Sequence, residues 1–99
     1  MNKTEIFLLT KPPHSDRAKL CLLLMEHSQN AVLYLAGDGV YNLLEAAFRK
    51  ALQKERVLAC KEDLVARGVL GEKGVIVPEN FYELLVEDMM SEGSRIYAF

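Results

Sequence analysis

Short apolar runs alternate along this chain with segments whose apolar residues recur at helical spacing. Thr4 to Leu9 is mostly apolar and is closed by Lys11-Pro12-Pro13, which can continue neither a ladder nor a helix; it predicts a first strand and a tight exit loop. Ser15 is placed to accept from the free amides of a first helix reaching about His27, with Asp16 near its positive end. The apolar residues of that helix spread around much of its circumference, which predicts burial on two sides. Ala31 to Ala36 is an unbroken apolar run ended by Gly37-Asp38-Gly39, the pattern of a second strand covered on both faces.

From Val40 to Gln53 the apolar positions Leu43, Leu44, Ala47, Phe48, Ala51 and Leu52 are spaced by three and four, with Arg49, Lys50 and Lys54 near the end; one amphipathic helix is expected. Arg56 to Cys60 predicts a third strand, and Lys61 to Arg67 a helix of two turns stopped by Gly68. Val75 to Val77, before Pro78, predicts a fourth strand. Asn80 with Glu83 three residues on has the form of a capping box, and Phe81, Leu84, Leu85 and Met89 make one stripe on a helix reaching about Met90. Gly93-Ser94 breaks that helix, and Arg95 to Phe99 predicts a fifth strand. Strands that alternate with helices in this way call for right-handed crossovers and a mainly parallel five-stranded sheet in a three-layer α/β/α sandwich.

Composition narrows the picture. At 99 residues, 51% apolar and 26% charged, the chain can bury enough surface to offset its ordering entropy, as one domain spanning 1–99 with a thin core that association would help. No apolar run exceeds the six residues of Leu20 to Met25, far short of the ~20 residues of a membrane span, and Ile6 to Leu9 is too short for a signal peptide; the expected compartment is the cytoplasm. Residues 1–60 carry 8 Lys/Arg against 6 Asp/Glu and residues 61–99 carry 4 against 8. No basic stripe is present, so direct nucleic-acid binding is not expected.

Candidate chemistry gathers where parallel sheets collect it, beyond the carboxyl ends of the strands. Cys60 closes the third strand and starts the next helix, where free backbone amides and Lys61 favour a thiolate while Glu62 and Asp63 oppose it. It reads equally as a small buried hydrophobe. Cys21, inside the first helix between Leu20 and Leu22, reads as a packed thiol, with reactivity as the weaker alternative. In a reducing compartment both thiols should be free. Gly37-Asp38-Gly39 lacks the patterns of dinucleotide and P-loop sites and reads as a turn and helix cap. His14 and His27 have no ligand partners at metal spacing, so neither zinc nor another cofactor is expected. The acidic outer face of the last helix, Glu79, Glu83, Glu87, Asp88 and Glu92, reads as solvated, and the apolar Ile96 to Phe99 as a segment that subunit packing could bury.

Taken in order, Thr10-Lys11-Pro12, Asp38-Gly39-Val40, Glu62 to Gly68 and the aromatic C-terminus resemble the TusB/DsrH family over essentially the whole chain, most strongly at Asp63 to Gly68. The resemblance implies a DsrEFH-like fold and a sulfur-relay subunit. Sister TusC/DsrF-like and TusD/DsrE-like subunits are implied as partners, with self-association as the alternative, together with a sulfur donor or acceptor protein. Such assemblies pass persulfide sulfur towards 2-thiouridine in tRNA or from stored or reduced sulfur. TusB-type members commonly have an apolar residue at position 60, whereas the TusD/DsrE sisters carry their sulfur-accepting cysteine eight residues before the glycine, the spacing of Cys60 from Gly68. Some DsrH members have a cysteine in the first helix, which Cys21 resembles. The candidate site is therefore Cys60, with Cys21 as the weak alternative and Lys61, Arg67 and Asp38 in support. The chain is read either as a sulfurtransferase component using a cysteine persulfide or as a non-catalytic scaffold subunit. A receiver-like or flavin-binding domain fits poorly, because Thr10-Lys11-Pro12-Pro13 has neither an acidic pair nor a hydroxyl-rich phosphate loop.

Overall fold

The expected alternation is realised as a five-stranded sheet in the order β4-β3-β2-β1-β5, every neighbouring pair parallel. The computed structural model describes residues 4–51, 55–71 and 74–99. Its elements are β1 Glu5–Leu9, α1 Asp16–Glu26, β2 Ala31–Leu35, a 3-10 helix Gly37–Leu44, α2 Ala46–Ala51, β3 Arg56–Ala59, α3 Lys61–Arg67, β4 Val75–Ile76, α4 Phe81–Met90 and β5 Arg95–Ala98. In-register pairing of β1 with β2 (Phe7 beside Leu33) and of β2 with β3 (Leu33 beside Val57) sends alternate side chains to opposite faces.

On one face Phe7, Leu9, Leu33, Leu35, Val57 and Ala59 pack with residues of α1, the 3-10 helix, α2 and α3. On the other, Ile6, Val32, Tyr34, Leu58 and Cys60 pack with Phe81 and Leu85 of α4 alone. Helices on both faces make the three-layer sandwich. The second layer is sparse for a geometric reason: one helix about 10 Å wide lies on five strands that span about 19 Å. Ile76 on β4 and Ile96 on β5 therefore remain exposed at its two margins.

Three local expectations are corrected. The single helix from Val40 to Gln53 is two pieces, a 3-10 helix and α2, separated by Glu45 in an extended conformation (φ −94°, ψ 128°). Buried Asn42 donates its side-chain amide to the carbonyls of Gly39 (2.9 Å) and Lys11 (3.0 Å), occupying a carbonyl that a regular helix would use. Gly39 itself lies so close to β1 that a Cβ there would meet the Leu9 carbonyl oxygen at 2.0 Å. Leu43 and Phe48 are buried while Leu44 is exposed; Leu52 to Lys54 and the side chains of Ala47 and Ala51 lie outside the described residues.

The second correction concerns α1, which buries one side only. Ala18, Cys21 and Met25 face the sheet, and Leu20, Leu23 and Leu24 remain exposed because a single layer packs against the helix. Its cap forms as expected, with Ser15 Oγ accepting from the Ala18 amide at 3.2 Å. The third correction is at Asn80, whose backbone (φ −111°, ψ 47°) lies outside the extended geometry that aims a cap, so no side-chain cap forms. Phe81 and Leu85 make the buried stripe of α4, Leu84 is partly buried, and Met89 is exposed. The aromatic C-terminus is partly absorbed by the chain itself: Tyr97 and Phe99 stack on Phe7, with centroids at 5.1 and 6.4 Å.

Candidate functional site

Cys60 stands at the carboxyl edge of the sheet. Its amide donates to Leu35 O (3.0 Å), prolonging the β2–β3 ladder by one bond, and its carbonyl accepts from the Leu64 amide, opening α3. The residue is the N-cap of that helix (φ −73°, ψ 119°), and its sulfur points to the sparse face, where only 2% of the residue is exposed. The turn from strand to helix thus delivers a thiol to the edge and covers it.

Polar groups surround the sulfur on the remaining side. The thiol donates to Glu62 Oε2 at 3.3 Å. From α4, Tyr82 packs its ring edge-on against Phe81 at 5.0 Å, and its hydroxyl is pushed up by burial and then by the nearby Cys60 and Asp63. Burial is the largest influence on Cys60 and pushes its thiol up; the Asp63 amide pulls it down, and the Glu62 and Asp63 carboxylates push it further up. The amide is present, but desolvation and two carboxylates outweigh it, and the resting state is the thiol.

Lys61 does not help the sulfur either. Its ammonium lies 2.7 Å from Glu79 Oε1, in an exposed ion pair that joins α3 to the approach of α4. Arg67 and Asp38 do come together: Arg67 Nε donates to Asp38 Oδ1 at 3.0 Å, and its Nη1 to Asp63 Oδ1 at 3.2 Å. The second oxygen of Asp63 accepts from the Gly37 amide at 2.7 Å. That amide is the main reason the Asp63 carboxyl is held below its ordinary range, with Cys60 and Arg67 adding to it. Asp63 therefore ties the start of the 3-10 helix to α3, and Arg67 closes the loop through Asp38. Gly68 ends α3 at φ 65°, a left-handed cap suited to glycine, and returns Val69 to the core. The Asp63 to Gly68 segment is thus mainly an architectural brace beside the thiol.

Cys21 lies elsewhere. It is fully buried on the densely covered face, where burial alone pushes its thiol up to about 12. Both cysteines are free. His14 is exposed and pairs with Glu45, while His27 is the C-cap of α1. Among the described residues no three His, Cys, Asp or Glu side chains gather as a metal site, and no helix is long and apolar enough to cross a membrane.

Sequence reasoning missed Asp63 as an anchor and Tyr82 as a neighbour of Cys60. A signal for Tyr82 was present: in a parallel sheet the first turns of successive helices converge on the carboxyl edge, and Tyr82 is a hydroxyl-bearing residue in the first turn of α4.

A parallel α/β sandwich with a braced loop and a thiol at its carboxyl edge is the class of protein that fold and site define. The sequence matches the family described as DsrH like protein over residues 11–92, and the chain belongs to that family, the sulfur-relay subunits its motifs resemble. The fold is similar to that of the ychN protein from E. coli, with a TM-score of 0.69 and 22% identity over 100% of both chains. No curated protein matches the sequence.

Proposed function

We propose that this chain is a subunit of a cytoplasmic sulfur-relay assembly in which Cys60 accepts persulfide sulfur and passes it on. The observation that carries this reading is the position of the sulfur: it ends β3 at the carboxyl edge, beside a loop braced by Asp38, Asp63 and Arg67. In the step, the Cys60 thiolate attacks the terminal sulfur of a donor persulfide. A sulfur–sulfur bond forms on Cys60, the donor's own sulfur–sulfur bond breaks, and the departing donor thiolate takes up the proton that Cys60 released. Transfer onward to an acceptor thiolate repeats this in reverse. Formation of tRNA 2-thiouridine and intracellular sulfur oxidation both use such a step, and TusC/DsrF-like and TusD/DsrE-like subunits, or further copies of this chain, would complete the assembly.

The test is to incubate the protein with a sulfane-sulfur donor and weigh it intact. One added sulfur atom is expected, lost in Cys60→Ala and retained in Cys21→Ala. No addition, or addition that survives Cys60→Ala, overturns the role of Cys60.

Burial of Cys60, with its thiol pushed up, favours a second reading, that of a non-catalytic scaffold whose work is to complete the oligomer. On that reading an assembly rebuilt with Cys60→Ala relays sulfur at the wild-type rate.

A further inference from the structure

Each outer layer of the sandwich leaves an apolar stripe uncovered. On α4, Tyr82, Val86, Met89 and Met90 recur at helical spacing and stay exposed, while Phe81 and Leu85 face the sheet. Glu83 and Glu87 border that stripe, and neither makes an ion pair among the described residues. The helix carries no basic residue. On α1, Leu20, Leu23 and Leu24 are exposed on the side away from Ala18, Cys21 and Met25. Arg17 and Lys19 border this second stripe, one on each side, and the adjoining α2 adds Arg49 and Lys50. We propose that copies of this chain associate head to tail, the α1 stripe of one seated on the α4 stripe of the next. The inference goes beyond the relay reading and stands whether or not Cys60 carries sulfur.

Charge decides between this arrangement and its twofold rival. Two copies meeting α4 to α4 would set Glu83 and Glu87 against their own equivalents, with no base on either helix to offset them. The α1 of a second copy brings leucines and cations to the same place. Its two acids, Asp16 and Glu26, stand at the ends of the helix, so Arg17 and Lys19 are the charges between them. The two helices also match in length, at 11 and 10 residues, or about 15 Å each. Because α1 packs on the dense face and α4 on the sparse one, seating one stripe leaves the other free on every copy. Such a contact is heterologous, and it grows into a ring or a row of copies instead of stopping at a pair. Two short helices bury little area, so the association is weak and depends on concentration.

The test is sedimentation equilibrium of the full chain over rising concentration. Wild type should form species larger than a dimer, and added salt should weaken them. Leu23→Asp blocks the α1 stripe and Val86→Asp the α4 stripe; at 53% and 54% exposure both positions lie outside the core. Each variant alone should stay monomeric. Mixing the two should restore a dimer and nothing larger, because each keeps the stripe that the other has lost. Leu20→Asp and Met90→Asp repeat the experiment should either first variant fail to melt cooperatively. At low salt, Glu87→Lys and Arg17→Glu should each weaken the wild-type assembly about threefold. A wild type that stays monomeric or stops at a dimer overturns the inference, as does a mixture that stays monomeric. Assembly that survives Leu23→Asp and is lost in Val86→Asp assigns α4 to a twofold contact and rejects α1 as its occupant. Charge variants without effect reject α1 as well.

Discussion

The two faces of the sheet bury one cysteine each and treat it differently. On the dense face, Cys21 on the inner side of α1 packs among Phe7, Leu33 and their neighbours, and burial is the one influence on its ionisation. On the sparse face, Cys60 is almost as hidden, yet its thiol donates to Glu62 and is pushed up further by the Asp63 carboxylate. Low exposure therefore has two meanings here. Under several helices it surrounds a thiol with hydrocarbon alone, whereas at the strand end beside a lone helix it leaves carboxylates next to the thiol. What separates the two sites is the polar company of the sulfur and the thickness of its cover.

The strongest way to break this comparison is to remove packing from each face in turn. Leu33→Ala, at the centre of the dense face, should cost about 3 kcal/mol, and Leu85→Ala, on the slightly exposed side of α4, about 2 kcal/mol, both read from urea unfolding. Equal costs would mean that α4 is as firmly seated as the opposite layer. A smaller effect tests how α4 is held. Tyr34 is fully buried and its hydroxyl donates to Asp88 on α4, so Tyr34→Phe should lose about 1 kcal/mol and speed amide hydrogen exchange along α4 more than along α1. The smallest effect is alkaline. The folded thiol of Cys21 is raised from 9.0 to about 12, so its contribution to stability is complete below 9.0 and is lost as pH rises through about 12. Tyr34, also pushed up by burial, adds to that loss. Denaturation midpoints followed upward in pH should therefore fall less steeply in Cys21→Ala than in wild type.

The layer order was legible in the sequence because unbroken apolar runs such as Ala31 to Ala36 have few other places to go than a strand covered on both faces. The end of α3 was legible too, since Gly68 after Arg67 is a stop signal in its own right. Helix 40–53 was misread because its stripe is genuine while the interruption depends on Asn42 reaching the carbonyl of Lys11, 31 residues earlier. The site was half legible. Position 60 at a strand end follows from local pattern, but the pairing of Lys61 with Glu79 and the approach of Tyr82 depend on how α4 crosses the sheet. Charge near a thiol could be counted from sequence. Which charge faces the sulfur, and which faces water, could not.

The brace from Gly37 through Asp63 and Arg67 to Asp38 is built mainly from atoms that do not belong to position 60. Position 60 can then be exchanged, thiol for hydrocarbon, with the surrounding scaffold left standing. The segment that resembles the family therefore says nothing by itself about whether this thiol carries sulfur.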